Sequence, residues 1–166
     1  TWLRGNTATS TNISHWTGSE KQITAMVAID GKAYQAFGVP APGTAGALTQ
    51  KSVQALPTRT VFELELPGVL GVTLTFLQTM FTDDYLRLSR PAYYARFDVV
   101  SLDGTEHAVK VYFDASAQLA VNNDASSVNW QSWDAATVAA TGFDGRDSAG
   151  RDSDAKGPGR LPWPVW

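Results

Sequence analysis

The clearest order in this chain is an alternation of apolar and polar positions with period two, the mark of strands with one face buried and the other in water. From Val61 to Leu66 the order is Val-Phe-Glu-Leu-Glu-Leu, so Phe62, Leu64 and Leu66 share one face while Glu63 and Glu65 take the other. Val72, Leu74 and Phe76 alternate with Thr73 and Thr75 in the same way, and Pro67-Gly68-Val69-Leu70-Gly71 joins the two runs as a hairpin turn. A second hairpin is expected from Tyr93–Leu102 and His107–Phe113 around Asp103-Gly104, with Tyr93, Ala95, Phe97 and Val99 alternating with Tyr94, Arg96 and Asp98. Arg96 and Asp98 then share the face opposite Phe97, where they can pair with each other or meet a further domain. A third hairpin is expected from Gln22–Ile29 and Ala33–Phe37 around Asp30-Gly31-Lys32.

Lys51–Leu56, Gln118–Val121 and Ser127–Trp133 read as further strands, for a total of about eight or nine. Pro57 restricts Leu56 and confines that strand to an edge or a strand start. Gly38–Gly46 is a loop by composition, expected to carry the chain from one sheet to another. Helical spacing is scarce; Asp134–Ala140 reads as a short helical turn capped by Asp134. These elements predict an all-β fold, an antiparallel two-sheet β-sandwich, with a closed barrel as its rival.

The division of the chain follows from the same patterning. Residues 1–141 are expected to form the β-sandwich domain and 142–166 an irregular C-terminal tail. Gly142–Arg160 is rich in glycine, has Phe143 as almost its only apolar residue, and repeats Gly-Arg-Asp-Ser at Gly145–Ser148 and Gly150–Ser153. Such a segment buries too little apolar area to offset its ordering entropy alone. The last six residues, Leu161-Pro162-Trp163-Pro164-Val165-Trp166, are apolar and aromatic. They read either as a tail docking its tryptophans on the same domain or as a segment contacting another polypeptide.

Composition sharpens this picture. The 166 residues are 43% hydrophobic and 17% charged, with no cysteine and a net charge of −3. A chain of this size buries roughly 68–70% of its unfolded surface, so an ordinary apolar core suffices without disulfides. No clustered Lys and Arg offers a footprint for a phosphate backbone, so nucleic acid is not an expected partner. No run of about 18 apolar residues is present, so a membrane is not an expected partner either. The chain starts with Thr1 and not Met, which reads as a removed leader or a fragment. Asn12-Ile13-Ser14 is a glycosylation acceptor pattern in a polar stretch, making Asn12 a candidate modification site.

Catalytic chemistry is hard to assemble from these residues. The two histidines are His15 and His107. His107 closely follows the Asp103-Gly104 turn and reads as an exposed histidine at a hairpin end; His15, between Ser14 and Trp16, with a carboxylate is the candidate base of a small hydrolase. No Gly-x-Ser-x-Gly elbow, phosphate-cradling glycine loop or zinc-ligand spacing occurs. The acidic segment with Asp144, Asp147, Asp152 and Asp154 misses the calcium-loop spacing, and Asp83-Asp84 reads as a solvated turn before it reads as half of a glycosidase pair. The expectation is therefore no catalytic residue, no metal and no cofactor. Binding is better supplied, because sugars are gripped by flat aromatic faces beside amides: Trp130, Trp133, Asn122 and Asn129 are the candidate glycan contacts. The competing reading makes the tryptophans covers for the ends of the sandwich.

Several segments taken in order resemble the N-terminal non-catalytic region of the secreted glutaminase A family of fungi and bacteria. They are Thr1-Trp2-Leu3-Arg4-Gly5 with Trp16; Ile29-Asp30-Gly31-Lys32-Ala33-Tyr34 with Gly38; Pro57-Thr58-Arg59-Thr60; Ser89-Arg90-Pro91; and Val111-Tyr112-Phe113-Asp114-Ala115-Ser116-Ala117 with Val121-Asn122. The resemblance covers roughly residues 1 to 133. It implies a secreted protein in which a β-sandwich precedes a larger α-helical toroid domain carrying the glutamine-hydrolysing site. No family catalytic residue maps onto this sequence. The implied partner is that helical domain or a second chain, and the alternative is a stand-alone carbohydrate-binding or lectin-like sandwich.

Overall fold

The computed structural model describes residues 13–14, 20–38, 42–90, 92–119, 121, 127–135 and 138–145. Among them run twelve strands: β1 (Ile13–Ser14), β2 (Glu20–Lys21), β3 (Ile23–Ile29), β4 (Lys32–Phe37), β5 (Gly46–Ala47), β6 (Thr49–Ala55), β7 (Arg59–Leu66), β8 (Leu70–Leu77), β9 (Tyr94–Ser101), β10 (Val109–Ala115), β11 (Val128–Ala135) and β12 (Val138–Gly145). The helical elements are one turn of α-helix, α1 (Tyr85–Leu88), and a 3-10 turn over Ala117–Leu119. The all-β expectation holds.

The chain divides into two compact units. The first, which takes in 23–114, holds two four-stranded sheets, ordered β10-β3-β4-β5 and β6-β7-β8-β9. Local chemistry accounts for two of its hairpins. β3 turns into β4 through Asp30 and Gly31, both at positive φ (48° and 82°), the backbone that a two-residue hairpin loop demands and that Asp-Gly supplies. β7 turns into β8 through Pro67, Gly68 and Val69; Gly68 has φ 70° and Val69 N–H donates to the Leu66 carbonyl at 3.0 Å, a type II turn with proline at its second position. Leu70, expected in the turn, is instead the first residue of β8 and pairs with Leu66.

The two sheets meet through aromatic rings. Phe37 of β4 lies 5.5 Å from Phe62 of β7 and 5.2 Å from Phe76 of β8, edge to face, and Phe76 also reaches Phe113 of β10 at 6.3 Å. Ala25, Val27, Phe62 and Leu74 are wholly buried around them. Gly38 ends β4 at φ 89°, and a Cβ there would stand 2.2 Å from the Ile23 carbonyl oxygen, so only glycine fits where β4 leaves β3.

Several expectations are corrected. Tyr93–Leu102 and His107–Phe113 do not form a hairpin: β9 pairs with β8 in one sheet, while β10 pairs with β3 in the other. Gly38–Gly46 does not change sheets, because it leads into β5, which runs parallel to β4 for two residues; the change comes after it, between β5 and β6. In Gln118–Val121 the described residues form no strand, and Gln118 and Leu119 belong to a 3-10 turn. The described residues of Asp134–Ala140 are not helical: Asp134 and Ala135 end β11, and Val138 begins β12. Alanine's helix preference yields there to an eight-residue antiparallel ladder, from Val128 opposite Gly145 to Ala135 opposite Val138. That ladder also carries strand structure through the expected boundary at 141/142.

The second unit takes in 14–22 and the chain from Ala115 onward, with β2, the 3-10 turn, β11 and β12. Here Lys21 is buried, and its ammonium donates to the backbone carbonyls of Gln118 at 2.6 Å and Val121 at 3.1 Å. These acceptors satisfy a cation that would otherwise be costly to bury.

Candidate functional site

The densest polar constellation in the first unit is centred on His107, in the connection between β9 and β10. Its side chain is 11% exposed, so it is neither a hairpin-end nor an exposed residue. Nδ1 lies 2.7 Å from Asp30 Oδ2, in the β3–β4 turn, and Nε2 lies 3.1 Å from Asp103 Oδ1 and 3.1 Å from Thr105 Oγ1. Each carboxylate is itself anchored. Asp30 Oδ1 accepts from the Ala108 amide at 2.9 Å, while the Asp30 amide donates to the Ala108 carbonyl at 3.0 Å. Asp103 Oδ1 accepts from the Thr105 amide and hydroxyl, both at 2.8 Å, and from the Ser101 hydroxyl at 3.0 Å.

The electrostatics follow from these contacts. The hydrogen bond to Asp30, then that to Asp103, raises the His107 imidazole above its ordinary value. The bond from His107 and then the Ala108 amide hold Asp30 below the usual carboxylate range. The Thr105 amide and hydroxyl, ahead of His107 and Ser101, hold Asp103 well below it.

Asp30, His107 and Thr105 superficially form an acid–base–hydroxyl relay. The chemistry does not work as one, because a general base must offer a free lone pair to the hydroxyl. Asp103 Oδ1 accepts the hydroxyl proton of Thr105, so that proton is not offered to Nε2, and the two carboxylates favour the protonated ring. The constellation is a clasp between two loops. An open hollow of about 320 Å³ lies beside it, with Leu70 of β8, Val99 and Ser101 of β9 and Val109 of β10 in its walls.

β9 and β10 are edge strands of the two sheets, and both carry exposed large apolar side chains. Tyr94 is 57% exposed, Val100 59% and Leu102 48%; Val111, Tyr112 and Phe113 on β10 are 43–50% exposed. Arg96 and Asp98 pair on β9 as the strand pattern allows, Nη2 to Oδ1 at 2.6 Å, exposed to water. The connection between β8 and β9 adds exposed Met80, Tyr85 and Leu86.

The sugar-site candidates are placed in part. Asn129, Trp130 and Trp133 all lie on β11, opposite Asp144, Phe143 and Ala140 of β12. Asn129 is exposed. Trp130 and Trp133 stand at strand positions of opposite parity, while Asn129 and Trp133 share one. Asn122, Asn12 and His15 lie outside the described residues, as do Asp147, Asp152 and Asp154. Asp84 caps α1: its Oδ1 accepts from the Arg87 amide at 3.0 Å, and its Oδ2 lies 3.2 Å from Arg87 Nε. Among the described residues, no three His, Asp or Glu side chains cluster as metal ligands would.

Sequence reasoning missed the clasp because Asp30 and His107 stand 77 positions apart. The local signal was the polar alternation Ser101, Asp103, Thr105, His107 leading out of β9, which sets four hydrogen-bonding side chains at every second position.

Fold and surface together define an antiparallel β-sandwich with apolar side chains exposed on its edge strands. The chain belongs to the family described as domain of unknown function DUF5127, whose match spans residues 58–149, from β7 through β12. It is also similar to the glutaminase A of Aspergillus oryzae, strain ATCC 42149 / RIB 40, with 28% identity over 116 residues. Those residues make up 69% of this chain but 16% of that relative's length. No solved structure matches the chain.

Proposed function

We propose that this domain is a non-catalytic accessory β-sandwich of a secreted, glutaminase A-like protein, and that its β9 and β10 edge strands dock on an α-helical catalytic domain. The observation that carries the reading is the apolar exposure of those strands. Tyr94 and Val100 on β9, Leu102 just after it, and Val111, Tyr112 and Phe113 on β10 are large apolar side chains exposed on the edge strands of the two sheets, inside the segment that defines the family. Exposed large apolar side chains in this number point to a surface that another body covers. The similarity to a glutaminase several times longer supports a helical domain of the same polypeptide as that body. The His107 clasp, with its base occupied, supports a domain that contributes structure and not chemistry. The test is ammonia release from glutamine by the purified 166-residue chain: none is expected, and turnover above a buffer blank overturns the reading.

The alternative, a carbohydrate-binding sandwich, draws on Asn129 and Trp133, which share parity on β11 about 13 Å apart at strand spacing. A glycan array separates the two readings: binding that is lost in Trp133→Ala favours the alternative.

A further inference from the structure

The clasp joins parts of the chain that belong to different sheets. Asp30 belongs to the β3–β4 turn, and Asp103 and His107 to the connection that brings the chain from β9 into β10. Asp30 grips Ala108 in both directions at the residue preceding β10, so it sets where β10 begins against β3. His107, one residue earlier, is held between that turn and Asp103. With both ring nitrogens protonated it donates to both carboxylates at once; with one proton it can donate to only one of them.

We propose that His107 is a proton-operated latch on the β9-to-β10 crossing: closed when the imidazole carries its charge, and released from one carboxylate when it loses it. The groups around it define the direction. Asp30 faces it from the β3–β4 turn and Asp103 from its own connection. Glu106 is the other titratable residue lining the hollow, whose walls from β8, β9 and β10 are Leu70, Val99, Ser101 and Val109. Asp30 and Asp103 both favour the protonated ring, and partial burial opposes them more weakly. The latch therefore closes as pH falls and opens as pH rises through a midpoint above the ordinary histidine value of about 6.5. Opening loosens the strand that carries Val111, Tyr112 and Phe113, and so the order of those exposed side chains.

The experiment is carried out on the whole chain by NMR from pH 5.5 to 9.5. The His107 ring signal is assigned by its absence in His107→Gln, and hydrogen exchange of the Ala108 and Thr105 amides is corrected for the intrinsic pH dependence. The His107 ring is expected to titrate above about 6.5, and the corrected protection of both amides to fall by about tenfold through the same midpoint. In His107→Gln the protection is expected not to vary with pH. Asp103→Asn supplies a second reading should that variant fail to fold, because it lowers the midpoint while leaving the ring able to donate to Asp30. Titration at or below about 6.5, protection that does not follow the ring, or an unchanged midpoint in Asp103→Asn overturns the latch.

Discussion

β8 and β9 are neighbours in one sheet, paired residue for residue from Leu70 opposite Ser101 to Leu77 opposite Tyr94, and both are apolar, yet their burial is opposite. On the inner face Val72 of β8 is 2% exposed, while its partner Val99 on β9 is 38% exposed; on the outer face of β9, Tyr94 and Val100 are more than half exposed. The difference lies in what stands opposite. β7 and β8 face Phe37 of the other sheet through packed rings, whereas β9 is an edge strand with apolar side chains on water. Apolar character thus has two meanings in one sheet: core where the sandwich closes on itself, and an uncovered flank where it does not.

The hardest challenge to this contrast is a deletion on the closed side. Phe62→Ala removes a fully buried ring that touches Phe37 and Phe76, and it should cost about 4 kcal/mol in urea unfolding. Gly38→Ala should follow at about 3 kcal/mol, since the new methyl meets the Ile23 carbonyl oxygen in a backbone conformation that alanine resists. A loss below about 1 kcal/mol in both would mean that the two sheets are not closed against each other there.

The clasp sharpens the contrast through pH. A histidine whose native value is raised stabilises the fold fully below about 6.5, and that contribution is lost as pH rises through the native value. Asp30 and Asp103, whose native values are lowered, stabilise it above about 4, and theirs is lost as pH falls through the native values. Urea midpoints should therefore form a plateau between about pH 4 and 6.5, declining on both sides. His107→Gln should remove the alkaline decline from this source and soften the acid one.

How much of this was legible in the sequence depends on the range of the interaction. Residues 59–77 were readable because alternation and a Pro-Gly turn act within a few positions. The Asp30-Gly31 hairpin was readable for the same reason. The failure at Asp103-Gly104 has a physical cause: a local turn signal says that the chain bends, not which strand the outgoing segment joins, and β10 chose β3, about eighty positions back. Alternation on β9 and β10 marked them as strands but carried no information on what would cover them. His107 looked exposed because its neighbours in sequence are polar, while the turn that covers it belongs to a distant hairpin. Asp134–Ala140 shows the converse error, a local propensity outweighed by a ladder of eight residues.

The smallest effect is expected on the open side, and it is the most informative. Val100 is 59% exposed and packs little, so Val100→Ser should change unfolding stability by no more than about 0.5 kcal/mol. Phe113, at 43%, keeps one ring contact with Phe76, so its replacement should cost more than that of Val100 but less than that of Phe62. What Val100→Ser should change instead is surface behaviour: a dye that fluoresces on exposed apolar surface should bind the native domain less, with the unfolding midpoint held. If the flank is a docking surface, stability and stickiness separate at this position. If Val100→Ser destabilises the domain as Phe62→Ala does, Val100 is covered by packing and is no part of an open surface.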